Sequence, residues 1–239
     1  MKMSLCIPMY NESAVIEKTA RTLDEYMKKT FPCGEYEIIF SDDGSRDGCG
    51  DIVRGLGLQN VKVVGYPTNR GKGFAVRTAF LQAKGDVIMF TDADLAYGTE
   101  VIGRVYDMMS ANKNADVLIG SRNLNKDGYE AYTPIRKLAS KIYIKVLCIT
   151  GGFKLSDSQC GCKAFRYDAV QKIFPRCEVD RFAFDFEAIL WAVKYGMKII
   201  EMPVKIINYG DSKVRIVRDT LKMLKDLRKM RKRIAKARL

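Results

Sequence analysis

Short apolar runs alternate with amphipathic stretches through the first 120 residues, and this alternation restricts the possible folds more than any other feature of the chain. Residues 4–9, 37–41, 61–65, 86–91 and 116–120 are strand-length apolar runs. Between them, residues 12–29 place Val15, Ile16, Thr19, Ala20, Leu23 and Met27 at helical spacing. Residues 73–83 and 100–110 have the same character, and Ser45 is the expected N-cap of a helix ending near Gly55-Leu56-Gly57. Parallel neighbours need a crossover between them, so the order predicts an α/β fold: a mostly parallel sheet with helices on both faces. The second half is less regular. It predicts a helix over 134–149, a short strand over 163–166, a helix over 184–195, an extended segment over 198–207 containing Pro203, and a long helix over 212–236.

Sheets of this kind bind ligands beyond the carboxyl ends of their strands. The polar clusters fall at those ends: Tyr10-Asn11-Glu12, Asp42-Asp43-Gly44-Ser45, Asp92-Ala93-Asp94 and Ser121-Arg122. Asp92 and Asp94, separated by the small Ala93, suit one hard cation such as Mg²⁺ or Mn²⁺, which takes carboxylate and phosphate oxygens. Asn69-Arg70-Gly71-Lys72-Gly73 lies between two of these ends. It lacks the Walker A spacing, and its glycines allow a tight turn and close approach to a ligand.

Seven cysteines without C-x-x-C spacing, and no His, argue against a Cys/His zinc site and a disulfide framework. The expectation is reduced, mostly buried thiols. The net charge is +13, and residues 213–238 carry twelve Lys or Arg against Asp219 and Asp226. Their apolar positions Val214, Val217, Leu221, Leu224, Leu227, Met230 and Ile234 keep near-helical period. A basic amphipathic helix suits an anionic membrane surface. Nucleic acid is disfavoured, because the tail has no aromatic side chain to stack on bases.

Four motifs, Pro8-Met9-Tyr10-Asn11-Glu12, Asp42-Asp43-Gly44-Ser45, Asn69-Arg70-Gly71-Lys72-Gly73 and Asp92-Ala93-Asp94, occur in one order together with Gly120-Ser121-Arg122, Phe184-Asp185-Phe186-Glu187 and Gly210-Asp211-Ser212-Lys213. The set resembles the family 2 glycosyltransferases of GT-A (Rossmann-like) fold, and among them the dolichyl- and polyprenyl-phosphate glucose and mannose synthases. Asp157-Ser158-Gln159-Cys160-Gly161 is nearer the beta-glucosyltransferase branch. The resemblance implies a metal-dependent, inverting hexose transfer from a UDP-glucose-like or GDP-mannose-like donor to a polyprenyl phosphate. The alternative is a family 2 enzyme that adds sugar to a glycan or another hydroxyl.

The resemblance also implies roles. Pro8, Tyr10, Glu12 and Asp42 hold the base and ribose, and Asn11, Asp43, Gly71, Lys72 and Ala93 line the same donor site. Asp92 and Asp94 hold Mg²⁺ or Mn²⁺ on the donor diphosphate, and Lys213 closes on its phosphates. Arg122, Arg136 and Ser140 match an acceptor-phosphate site. Asp157 is the candidate general base, with Asp185 and Glu187 as alternatives. Mannose synthases often place a Gln ligand where this chain has Ala96, so donor phosphates and water are expected to complete the metal's shell. The expected layout is a transferase domain over 1–211 and a membrane-surface helix over 212–239, peripheral at the cytoplasmic face.

Overall fold

Each parallel strand must be returned to the same end of the sheet by a crossover, and the chain provides these with helices. The computed structural model describes residues 1–128, 134–181, 183–208, 227 and 229–238. Strands β1 (Met3–Met9), β2 (Tyr36–Asp42), β3 (Val61–Gly65), β4 (Val87–Phe90) and β5 (Val117–Ser121) are separated by helices α1 (Ile16–Thr30), α2 (Cys49–Gly55), α3 (Lys72–Gln82) and α4 (Glu100–Ala111). There follow α5 (Pro134–Gly151), β6 (Lys163–Arg166), α6 (Tyr167–Ile173), a 3₁₀ turn (Phe174–Arg176), α7 (Phe184–Lys194) and β7 (Ile199–Pro203).

The sheet order is β3-β2-β1-β4-β6-β5-β7. β1 pairs parallel with β2 and β4, β2 with β3, and β5 with β7. β6 runs antiparallel to both its neighbours, with Lys163 opposite Phe90 on β4 and Ile119 on β5. The antiparallel direction matters for the site. β6 starts at the carboxyl ends of β4 and β5, so residues 156–162 must arrive across the ligand-binding edge.

Side chains on successive strand residues point to opposite faces, and the core divides accordingly. Leu5, Ile7, Ile38, Phe40 and Met89 pack with Ile16, Leu23, Ile102 and Val105 of α1 and α4. Cys6, Ile39, Ile88 and Phe90 pack with Val76 and Phe80 of α3 and Phe186 and Ile189 of α7. Phe80, Phe165 and Phe174 form a ring cluster with centroids 4.6–5.6 Å apart.

Several boundaries depart from expectation. α1 begins at Ile16 rather than residue 12, because the Glu12 carbonyl accepts from Val15 and Ile16 N–H in a turn that follows left-handed Asn11. Ser45 does not cap α2. Gly48 does, at φ +77°, while Ser45 Oγ accepts from Asn11 N–H at 3.0 Å. α6 had no counterpart in the sequence reading, since it is seven residues long and buries only Ala169, Val170 and Ile173.

The C-terminal basic helix is also revised. Residues 209–226 lie outside the described residues, and Lys213 with them. Over 229–236 the chain is helical, but Leu227, Met230 and Ile234 are buried in the core beside α7. Lys194 Nζ donates to the Ile234 and Ala235 carbonyls at 2.5 and 2.9 Å. This part of the apolar stripe faces the protein rather than a bilayer.

All seven thiols are free, and only Cys33 is exposed. Burial pushes the Cys160 thiol up to about 11 and Cys177 up to about 12. Iodoacetamide at pH 8 should therefore add one fast adduct, at Cys33, read by intact mass and peptide mapping. Equally fast labelling of Cys160 or Cys162 would contradict this packing.

Candidate active site

The carboxyl ends of β1, β2 and β4 form one edge, and each continues into a turn that carries acidic side chains. After β4, Leu95 adopts φ +50°, an uncommon conformation for a bulky residue and one that costs on the order of 1–3 kcal/mol. It is held by its neighbours: Leu95 N–H donates to the Asp92 carbonyl at 3.1 Å, and the Leu95 carbonyl accepts from Asn208 Nδ2 at 2.9 Å. The turn leaves Asp94 exposed and Asp92 half-buried. Asp94 Oδ1 accepts from Ala96 N–H at 3.0 Å, and burial together with Asp92 raises its pKa. Ala93 points inward, its carbonyl accepting from Thr19 Oγ1 at 2.8 Å.

Asp43 is committed to its own chain. Its carboxylate accepts from Tyr66 Oη at 2.7 Å, Asn69 Nδ2 at 2.8 Å, Arg70 N–H at 2.8 Å and Gly71 N–H at 2.9 Å. It shapes the 69–72 loop, and so reaches the expected donor site through that loop. Asp42 Oδ1 caps the next turn through Ser45 N–H at 2.9 Å, and Asn11 Oδ1 accepts from Arg46 N–H at 3.0 Å. Tyr10 is exposed, while Pro8 and Glu12 are half-buried at the same edge.

The loop glycines make room for another part of the chain. Gly71 has φ +113°, and a Cβ there would lie 2.6 Å from the Asp180 carbonyl; at Gly73 one would lie 2.6 Å from the Val179 carbonyl. The close approach is to residues 179–181. Arg77 and Arg70 bind the Asp180 carboxylate at 2.8 and 3.0 Å. Glu187, fully buried, accepts from Glu178 and Val179 N–H at 3.0 and 2.8 Å and pairs with Arg233 of the C-terminal helix.

The segment that crosses the edge before β6 completes the site. Asp157 is fully buried and takes a two-pronged ion pair from Arg122, Nε to Oδ2 at 2.7 Å and Nη2 to Oδ1 at 3.0 Å. Glu201 on β7 holds this segment by accepting from Ser156 N–H at 2.8 Å and Ser156 Oγ at 2.6 Å. Lys163 is buried too, donating to the Cys160 carbonyl at 2.6 Å and pairing with Asp185 at 3.0 Å. Lys72 Nζ binds Asp92 Oδ1. Tyr97 lies between the two halves: its hydroxyl accepts from Gly161 N–H at 3.3 Å, and it feels the charges of Arg122 and Asp92.

Thus Asp92, Asp94, Lys72, Arg122 and Asp157 are brought to one edge. Asp157, Asp185 and Glu187, the three candidate bases, are each engaged with a cation. Arg136 and Ser140 lie one turn apart on α5; the Arg136 side chain is outside the described ones. Sequence reasoning missed the 177–181 strap and the Lys72–Asp92 and Lys163–Asp185 pairs.

The model of glycosyl transferase family 2 matches residues 4–174. The chain belongs to this family. Its relatives include a dolichyl-phosphate beta-glucosyltransferase of Trichomonas vaginalis, 32% identical over 88% of this chain and 65% of the relative. The corresponding Dictyostelium discoideum protein is 30% identical over 96% of this chain and 73% of its own length. The chain thus spans about two thirds to three quarters of these relatives. In fold it matches glucosyl-3-phosphoglycerate synthase from Mycobacterium tuberculosis in complex with Mn²⁺, UDP and glucosyl-3-phosphoglycerate. The TM-score is 0.67 at 15% identity, covering 98% of this chain and 78% of that one. A Pyrobaculum calidifontis mannosyltransferase in complex with GDP-Man and Mn²⁺ gives 0.60 at 19% identity, covering 84% and 55%. The family 2 chain therefore has the GT-A fold.

Glu187 is a structural clamp in this arrangement. Glu187→Ala removes one partner of a buried ion pair and the acceptor of two backbone N–H groups, and should cost about 3–5 kcal/mol in urea unfolding. Lost activity at unchanged stability would instead mark Glu187 as a reacting group.

Proposed function

We propose that this family 2 enzyme transfers a hexose, most readily glucose, from a nucleoside-diphosphate sugar to the phosphate of a polyprenyl lipid, with inversion at the anomeric carbon. The observation that carries the reading is that all three candidate bases are tied up in ion pairs, while cationic side chains border an apolar groove. That groove, of about 840 Å³, runs along α5. Ile144, Phe153 and Leu155 line it, with Lys141, Lys145 and Lys154 beside them, and it reaches Asn123 and Ser156, the neighbours of Arg122 and Asp157. A lipid phosphate needs cations at its head and apolar surface along its chain.

The acceptor argument is chemical. A hydroxyl acceptor needs a base, but a phosphate monoester, with a second pKa near ~6, is already ionised at pH 7. Asp157 is then a positioning residue. It fixes the Arg122 guanidinium, and Arg122 with Arg136 and Ser140 orients the acceptor phosphate. Double displacement would need a carboxylate nucleophile at the anomeric carbon, and the buried acids are committed elsewhere. The relatives' names, dolichyl-phosphate beta-glucosyltransferase, favour glucose and the same acceptor.

On the donor side, Asp92 and Asp94 are two adjacent carboxylates at a strand end, one of them exposed, and they fit Mg²⁺ or Mn²⁺. Among the described residues no group of three or more His, Cys, Asp or Glu gathers, so the donor's phosphates and water would complete the shell. When bound, the metal would neutralise charge on the departing nucleoside diphosphate. Asp42 and Glu12 would take the ribose and base together with Pro8 and Tyr10, and Lys213 would approach the phosphates. Among the described residues no helix is long and apolar enough to cross a membrane. Exposed Ile142 and Ile149 on α5, with the basic residues of 212–239, would contact the cytoplasmic face of an anionic membrane.

A donor screen with a short polyprenyl phosphate and Mn²⁺ or Mg²⁺, read by mass spectrometry, tests this. UDP-glucose should give a hexosyl-phosphate lipid, and Asp94→Ala should abolish it. Asp157→Asn should keep turnover but raise the acceptor KM about tenfold, ~1.4 kcal/mol. Transfer to sugar hydroxyls with none to lipid phosphate would overturn the reading.

A further inference from the structure

Asp92 is much more enclosed than Asp94. Its Oδ1 holds the Lys72 ammonium, and its Oδ2 lies so close to Gly161 that a Cβ there would collide with it. One oxygen of this carboxylate thus meets a cation and the other meets backbone, while the side chain stays a third exposed, 33%.

The position of Lys72 is fixed from behind. It is the first residue of α3, and the preceding Gly71 is bound to Asp43 on one side and pressed against Asp180 on the other. The side chain can swing, whereas its Cα has little room to move. The Lys72 ammonium is surrounded by the carboxylates of Asp92, Asp185 and Asp94. The ammonium also lies 5.7 Å from the Phe90 ring. Lys163 Nζ lies 5.7 Å from the same ring, already paired with Asp185. Asp92 and Asp185 are thus paired with Lys72 and Lys163, while Asp94 has Asp92 and Glu12 as acidic neighbours.

A divalent cation at Asp92 would bring two positive charges to an oxygen that already accepts from an ammonium. A diphosphate that arrives with the metal offsets them and gives the displaced ammonium a new partner. We propose that Lys72 is a built-in competitor for the divalent cation at Asp92, making the site select the metal–diphosphate complex over free metal. Entry of that complex transfers Asp92 Oδ1 to the metal and passes the Lys72 ammonium to the diphosphate oxygens. No covalent bond changes, and the proton remains on Lys72. This rests on the reading of Asp92 and Asp94 as the donor-metal site.

The test is Mn²⁺ titration of the full chain, read by electron paramagnetic resonance, with and without UDP. Lys72→Met and Lys72→Gln remove the competing charge, and Gln keeps an N–H donor for Asp92. Circular dichroism confirms folding. Either folded variant should bind free Mn²⁺ at least about fivefold more tightly than the wild type, while UDP should enhance Mn²⁺ binding less than it does in the wild type. Free Mn²⁺ affinity that is unchanged or weaker in a folded variant overturns the proposal. Asp94→Ala separates the two ideas. If it loses Mn²⁺ binding while the Lys72 variants match the wild type, only the competitor role fails. If it binds Mn²⁺ like the wild type, the metal-site reading fails and the competitor role with it.

Discussion

One strand running the wrong way organises this molecule. β6 enters an otherwise parallel arrangement between β4 and β5, antiparallel to both. Its first residue, Lys163, must then lie at the carboxyl ends of its neighbours, and the preceding residues must cross the ligand-binding edge. Asp157, Gly161 and Lys163 reach the crevice for this reason. A wholly parallel sheet would leave that edge with only the acids of β1, β2 and β4.

The crossing segment puts charges where water is scarce, and the fold answers with pairs. Arg122 matches Asp157, Lys163 matches Asp185, Lys72 matches Asp92, and Arg233 matches Glu187. Buried pairs of this kind add little net stability, but losing one partner is costly, so they fix geometry more than they strengthen the fold. Their arrangement also explains which acids can do what. The exposed Asp94 is open to a ligand. The buried acids have positions to hold, which favours an acceptor that arrives already ionised.

Most of the sheet was legible in the sequence because strand ends coincide with a change from apolar to acidic residues. Asp42 after Ile38-Ile39-Phe40 and Asp92 after Ile88-Met89-Phe90 are examples. β6, only four residues long, was also located, since its apolar Ala164 and Phe165 lie between basic residues. The partners of charged side chains were not legible. Nothing local in the sequence tells that Lys72 meets Asp92 or that Glu187 meets the backbone of 178–179, because those contacts arise from crossovers and not from spacing. The packing of the 69–73 loop was hidden for the same reason: its glycines make room for Asp180 and Val179, which are more than 100 residues away. The apolar stripe of the tail was correctly periodic, but periodicity does not say whether Leu227, Met230 and Ile234 face lipid or protein.

The central claim is direct displacement by an ionised lipid phosphate, with no carboxylate taking part at the sugar carbon. The anomeric configuration of the product tests it most directly. With UDP-glucose as donor and a short polyprenyl phosphate as acceptor, nuclear magnetic resonance of the purified lipid should show a β-linked glucosyl phosphate from the first turnover. An α-linked product would mean retention, by double displacement or front-face attack, and would contradict direct inversion.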